Sequence, residues 1–115
     1  MYKRSENCPM KDICVQNGNG LTHIKELSDR AAMYDHARMF AHVTLEPGRS
    51  IGYHIHEKET EFYYILKGEG VFNDNGTEVI VRPGDICATA HGEHHGMENR
   101  SAENLEMIAL IVLDN

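Results

Sequence analysis

The chain has 115 residues and a formal net charge of -7 at neutral pH, with no visible cluster of basic side chains. A surface of this sign repels the phosphate backbone of a nucleic acid, so no nucleic-acid partner is expected. The hydrophobic fraction of 41% and the charged fraction of 25% are those of a soluble globular protein and argue against disorder. The length predicts a single domain, residues 1–115, built around one hydrophobic core.

The N-terminus and the cysteines indicate a cytoplasmic protein. Two positive charges near the N-terminus are followed by no apolar run, which is unlike a secretory signal. The longest apolar run, Met107 to Leu113, is far shorter than the roughly 20 residues that span a bilayer, so no membrane partner is expected. The three cysteines are odd in number, and Cys8 and Cys14 lack zinc-finger spacing. Reduced thiols are therefore expected.

Short β-prone runs separated by turn residues follow one another along the chain. Residues 1–27 contain an Asn-Gly-Asn-Gly break and predict a loosely held N-terminal arm or an added edge strand. A short helical turn is expected at 31–33, capped by Ser28 or Asp29. Residues 37–113 are expected to form a β-barrel core. The runs predicted to form strands are 21–27, 38–45, 61–67, 71–72 paired with 77–81 across an Asn-Gly turn, 86–88 and 105–113. This pattern indicates an antiparallel all-β sandwich or barrel.

Three side chains between Gly48 and Gly68 have the pattern of metal ligands. His54 and His56 are two residues apart, so on a β-strand both imidazoles project from the same face. On a helix they would point roughly 200° apart. Glu61 opens a strand and offers a hard oxygen beside two nitrogens, a set that suits a divalent first-row metal. The alternative is that these are ordinary half-exposed polar positions on strands.

Two spaced motifs resemble those of the cupin family. The first, from Gly48 to Gly68, reads Gly-x5-His-x-His-x4-Glu-x6-Gly, and the second extends from Gly84 to Asn99. In the second motif Ala90 stands where the family usually has proline, which removes a rigid turn former but no ligand. The resemblance implies that His95 is the fourth ligand beside His54, His56 and Glu61. It also implies the family's fold, a double-stranded β-helix or antiparallel jelly roll.

The resemblance further implies one divalent transition metal per chain. Three imidazoles and one carboxylate leave one or two positions open for water or substrate, and iron, manganese, nickel, zinc and copper all remain candidates. Closed structural zinc is not indicated, because the set contains no sulfur. Tyr63 and His42 are candidate catalytic residues. Tyr63 shares the strand face of Glu61, although it could simply pack in the core, and His42 reaches the pocket in only one of two strand registers.

The pocket rim is expected to be mostly apolar, with Ile51, Ile55, Met97 and Met107 as candidates. Oxalate-decarboxylating and germin-like relatives usually carry Arg or Asn three residues before the first ligand histidine. This chain has Ile51 at that position, which argues against oxalate chemistry.

Two functions remain open at this point. The first is a metal-dependent enzyme, of the oxygenase or isomerase and epimerase type, that acts on a small polar organic molecule. The second is a non-catalytic protein that uses the same metal to bind or sense a sugar or carboxylate, because one fold hosts many functions. A homodimer is expected in either case, since an open jelly-roll sheet leaves edge strands that need cover and residues 1–27 are long enough to reach a partner.

Overall fold

The computed structural model describes residues 1–115 and consists almost entirely of antiparallel strands. The ten strands are β1 (Met10–Ile13), β2 (Thr22–Glu26), β3 (Ala37–Leu45), β4 (Ser50–Ile55), β5 (Glu59–Lys67), β6 (Gly70–Asp74), β7 (Thr77–Val81), β8 (Ile86–Thr89), β9 (His94–Glu98) and β10 (Leu105–Leu113). Two 3₁₀ turns, Ser5–Asn7 and Ala31–Met33, are the helical elements. Neither has the length or the apolar character needed to cross a membrane.

The strands form two sheets with the hydrophobic core between them. One sheet has six strands in the order β1-β2-β3-β10-β5-β8, and the other has four in the order β4-β9-β6-β7. The core draws side chains from both sheets, such as Val43 and Met107 from the first and Phe72 and Met97 from the second. The predicted antiparallel double-stranded β-helix is therefore confirmed.

Alternation along the strands decides which side chains enter the core. In β5 the side chains of Glu61, Tyr63 and Ile65 are buried, whereas Tyr64 and Leu66 are exposed. This is the parity expected of a strand with one face on a core and one in solvent. The same two-residue period holds in β10, where the buried residues are Leu105, Met107, Ala109 and Ile111.

The predicted turns form where turn residues occur. The Asp29 side chain accepts a hydrogen bond from the backbone N–H of Ala32, at 2.7 Å, and so caps the short 3₁₀ turn. At the Asn-Gly hairpin between β6 and β7, the side chain of Asn73 accepts a hydrogen bond from the backbone N–H of Gly76, at 2.8 Å. Both connections are thus fixed by local side-chain chemistry.

The N-terminal segment joins the two sheets. β1 pairs with β2 at the edge of the six-stranded sheet, and the chain then crosses to β4, where the N–H of Gly52 donates to the carbonyl of Val15 at 3.1 Å. The two backbones are so close that a Cβ on Gly18 would lie 2.1 Å from the carbonyl oxygen of Ser50. Only glycine fits such an approach. The segment is therefore docked across the opening between the sheets.

Candidate metal centre

The four residues predicted as ligands lie together between the two sheets. His54 on β4 is directly opposite His95 on β9, while Glu61 comes from β5 and His56 follows the end of β4. One ligand atom from each residue lies within 4.8 Å of all the others. His56, Glu61 and His95 are buried and His54 is partly exposed, so the cluster is open on the side of His54.

The distances inside the cluster fit a bound cation. Nε2 of His56 lies 2.9 Å from Nε2 of His95 and 3.2 Å from Nε2 of His54. Oε1 of Glu61 lies 3.1 Å from Nε2 of both His56 and His95. Lone pairs that converge in this way repel one another unless a positive charge lies between them. The donor set and its geometry therefore fit one divalent metal.

Each histidine is held by a hydrogen bond from its outer nitrogen, Nδ1. With Nδ1–H as donor, the lone pair of Nε2 is free to bind a metal, and the ring orientation is fixed. The acceptors are the carbonyl of Gly52 for His54 at 2.6 Å, Oε2 of Glu59 for His56 at 2.5 Å, and Oγ1 of Thr89 for His95 at 2.7 Å. The three rings are thus oriented for metal binding by three chemically different groups.

Sequence reasoning missed Glu59 and Thr89 as partners of the ligands. Glu59 had a detectable signal, because it is two residues before Glu61 and so shares its strand face. Thr89 had none, since its contact with His95 depends on how β8 and β9 lie relative to each other.

Without a metal, Glu61 and the histidines hydrogen-bond one another, and these contacts shift their pKa values. Burial raises the pKa of Glu61, but hydrogen bonds from His56 and His95 outweigh it and hold that pKa at about 2. Burial lowers the pKa of His54. A hydrogen bond to Glu61 raises the pKa of His56. Glu61 is therefore a carboxylate, and a metal that binds the cluster would displace the protons that the imidazoles donate to it.

Tyr63 lies against the cluster. Its ring stacks on that of His95, with centroids 5.1 Å apart and planes 9° from parallel, and the side chain is buried in the core. Burial first, and then the negative charge of Glu61, raise the pKa of Tyr63 well above its usual value. The phenol therefore stays protonated. A catalytic role for Tyr63 remains a prediction, and its packing role is visible.

The structure does not bring His42 to the cluster. Its side chain lies on the outer face of β3, where Nε2 is 2.9 Å from Oε1 of Glu106. The pairing of β3 with β10 sets this parity, which turns His42 away from the core. The catalytic role predicted for His42 therefore has no geometric support.

Three of the four predicted rim residues also lie elsewhere. Ile51 lines the cavity, but Met97 and Met107 are buried within the core and Ile55 is exposed on the outside. Ile55 follows His54 by one residue, so strand alternation sends it to the opposite face. The rim is therefore built from other segments than the sequence predicted.

A cavity of about 400 Å³ opens beside the cluster, which is the size of a small-molecule site. His54, His56, Glu61 and Tyr63 are among the 21 residues that line it, and 10 of the 21 are hydrophobic. The lining is thus mixed, not mostly apolar as expected. The N-terminal segment and the loop after β2, residues 28–30, contribute much of the polar part. The cationic lining residues are Lys11, Arg30 and Arg38.

Acid should release a metal from this cluster. Protons compete with the metal for the imidazole lone pairs, and His56, whose pKa is raised, is protonated early as the pH falls. Hydrogen bonds from the histidines lower the pKa of Glu61, so the histidines and not Glu61 decide the range. We expect loss to set in below roughly pH 6. Metal content after dialysis at a series of pH values measures this, and full retention at about pH 4.5 would contradict imidazole ligation.

Comparisons with known proteins agree with this geometry. The sequence matches the family model described as "Cupin domain" over residues 41–112. It is 44% identical over 113 residues to a protein of Thermotoga maritima named "Oxalate-binding protein", which covers 98% of this chain and 93% of that protein.

Solved structures are similar to this chain as well. A crystal structure from Thermotoga maritima, described as that of a predicted oxalate decarboxylase, superposes with a TM-score of 0.94 at 44% identity, covering 98% of this chain and 99% of that one. A sugar phosphate isomerase of the cupin superfamily from Silicibacter pomeroyi superposes with a TM-score of 0.78 at 18% identity, covering 97% and 75%. The second similarity shows the fold alone.

Proposed function

The chain belongs to the cupin family, and on that premise we propose that it binds one divalent transition metal and, on that metal, a small carboxylate. The metal would be held by His54, His56, Glu61 and His95. The observation that supports this most directly is the convergence of their four ligand atoms, three of them on rings fixed from behind, at the wall of a small-molecule cavity.

A bound metal would supply a Lewis acid with one or two positions open to the cavity. Iron, manganese, nickel, zinc and copper all accept three imidazoles and one carboxylate. The residues of the chain contribute the rest: the buried carboxylate of Glu61 balances part of the metal's charge, and the partly exposed side of His54 leaves room for a ligand to enter.

The carboxylate class rests on two observations. The relative that is 44% identical over nearly the whole chain is named an oxalate-binding protein. The cavity is also lined by Arg38, whose partner Glu59 contacts His56 of the cluster, so a positive charge lies where it favours an anion; the other two lining cations, Lys11 and Arg30, are paired with Glu26 and Asp35. Ile51 does not exclude oxalate, because the positive charge for an anion can come from Arg38 and need not come from position 51.

Calorimetry on metal-loaded and metal-free protein tests this proposal. We expect oxalate and similar short carboxylates to bind the loaded protein and to raise its unfolding temperature, because a ligand of the native state stabilises it by mass action. Metal-free protein should show neither effect, and neutral sugars serve as the matched negative ligand. The proposal fails if no carboxylate binds the loaded protein, or if sugars bind it better.

A second function, catalysis of the oxygenase or isomerase type, is favoured by Tyr63. Its phenol is kept protonated beside Glu61 and lines the cavity, so it can hold a proton next to a metal-bound substrate. Oxygen uptake and product analysis with a panel of small carboxylates and diketones, compared between the wild type and Tyr63→Phe, would detect turnover. Binding without any turnover would leave the binding or sensing function.

We also propose that the protein is a homodimer. The edge strand β1 pairs with the chain's own β2, so the N-terminal arm does not explain a dimer. The dimer interface would instead be the outer face of the six-stranded sheet, because apolar side chains there are neighbours across the strands. Leu110 lies between Phe40 and Phe62, and Tyr64 lies opposite Ile86. Tyr64 is 47% and Ile86 67% exposed. An apolar face of this kind needs a partner.

Light scattering should give about twice the chain mass of 13.0 kDa at micromolar concentration. The double substitution Tyr64→Lys and Ile86→Lys should convert the dimer to a monomer. The same change at Val79, which is exposed on the other sheet, should leave the mass unchanged. A wild-type protein that is monomeric at this concentration would contradict the prediction.

A further inference from the structure

Arg38 lines the cavity and lies at an irregularity in β3. Regular alternation would place it on the outer face with His42. In the pairing with β10, however, Met39 lies opposite Ile111 and Ala37 lies opposite Val112, so Arg38 is an extra residue in a β-bulge. Bulges redirect side chains and are frequent beside functional sites. The side chains of Arg38 and of the neighbouring Phe40 line the cavity, whereas His42, farther along the strand, does not.

Arg38 is held in place by Glu59. Its Nε donates to Oε1 of Glu59 at 2.7 Å and its Nη2 to Oε2 at 2.8 Å, a two-point contact that fixes the plane of the guanidinium. Glu59 is nearly buried, with its side chain 12% exposed, and it also accepts the Nδ1–H of His56. The third nitrogen, Nη1, makes no hydrogen bond within the protein. The guanidinium is thus oriented, and both N–H groups of Nη1 remain to be offered.

The charge of Arg38 acts close to the metal cluster. Its pKa is raised first by the hydrogen bonds to Glu59 and in part by the negative charge of Glu61, which places the guanidinium within electrostatic reach of Glu61. The other two cations of the cavity are paired on the surface, Arg30 with Asp35 and Lys11 with Glu26. The side chains of Lys11 and Arg30 are 50% and 54% exposed, whereas that of Arg38 is 42% exposed.

We propose that Arg38 is the residue that recognises the anionic end of the ligand. Its Nη1 donates to a carboxylate oxygen at one end of a short dicarboxylate, while the other end binds the metal. The inference rests on the proposed function and makes it specific: the cavity selects a ligand with two carboxylates over one with a single carboxylate. A guanidinium that is already fixed loses little conformational freedom on binding, so the contact is strong for its size.

The same geometry gives Glu59 a positioning role. It holds Arg38 on one side and His56 on the other, so it connects the anion site to the metal site. Glu59→Gln keeps the size but cannot accept from both partners as a carboxylate does. We therefore expect this variant to bind both the metal and the dicarboxylate more weakly. If Glu59 had only a structural role, the substitution would lower only the unfolding temperature.

Binding of oxalate and of oxamate, its mono-amide, separates the contribution of Arg38. Both ligands can chelate a metal, but oxamate has a single carboxylate. In Mn²⁺-loaded protein followed by calorimetry, the wild type should prefer oxalate, and Arg38→Met should reduce that preference by roughly fivefold. The matched control is Arg82→Met, which removes an arginine that lies outside the cavity and pairs with Glu69 on the surface, and which should keep the preference of the wild type.

The outcomes are distinguishable. If the wild type binds neither ligand, the proposed function fails. If the wild type binds oxalate and Arg38→Met retains the full preference, the inference about Arg38 is overturned and the proposed function stands. If Arg38→Met does not load with metal, Arg38→Gln takes its place, because glutamine can still hydrogen-bond Glu59 but carries no charge. An unchanged preference in Arg38→Gln would equally overturn the inference.

Discussion

Replacing His54 with alanine is expected to weaken metal binding by roughly 100-fold or more, about 2.7 kcal/mol. The substitution removes one of the three imidazole nitrogens, and alanine offers no ligand atom in its place. His54 is the least buried of the four cluster residues, so the fold should tolerate its loss better than that of His95. Competition with a chelator of known affinity measures the change, and elemental analysis of the purified variant checks it.

The matched control for this prediction is His42→Ala. It makes the same chemical change on the outer face of β3, where His42 contacts Glu106 and not the cluster. This variant should bind metal as the wild type does. Folding should survive both changes, because the core is built from apolar side chains of both sheets. If His54→Ala were to unfold at room temperature, the metal site would be structural and the proposal of a ligand-binding metal would lose its main support.

Replacing Glu61 with glutamine should lower metal affinity by roughly tenfold or more, about 1.4 kcal/mol. Glutamine keeps the size and one carbonyl oxygen but removes the negative charge beside the cation. That charge is fully present in the wild type at neutral pH, because hydrogen bonds from two histidines keep the pKa of Glu61 at about 2 despite burial. His54→Ala should cost more, since it leaves a hole where Glu61→Gln leaves an oxygen.

A second measurement on the same variant tests the electrostatic cause. The hydrogen bond to Glu61 is the largest reason why the pKa of His56 is raised, so in metal-free Glu61→Gln that pKa should fall. An NMR titration of the histidine rings reports it directly. Glu106→Gln, on the outer face, is the control and should change neither the metal affinity nor the His56 titration. Wild-type metal affinity in Glu61→Gln would show that the carboxylate is not a ligand.

Much of the fold and of the candidate site was predictable from the sequence, because the signals were local. His54 and His56 share a face through the two-residue period of a strand, and the same period correctly placed Glu61, Tyr63 and Ile65 inside. The Asn-Gly hairpin and the Asp29-capped turn also follow from a few adjacent residues. The distant His95 was added through a motif resemblance, and the structure brings it to the other three.

The tertiary structure alone decided the surroundings of the cluster. The partners of the histidines depend on which strands meet, as with Thr89 and His95. The N-terminal segment crosses to β4 through a close approach at Gly18 that no local pattern predicts. Arg38 and His42 share a parity in the sequence, yet Arg38 lines the cavity and His42 does not, and Arg38 is an extra residue in β3 opposite β10 that no local pattern predicts. Local periodicity determines faces within a strand, whereas pairing between strands determines register and bulges, and therefore which side chains reach the ligand.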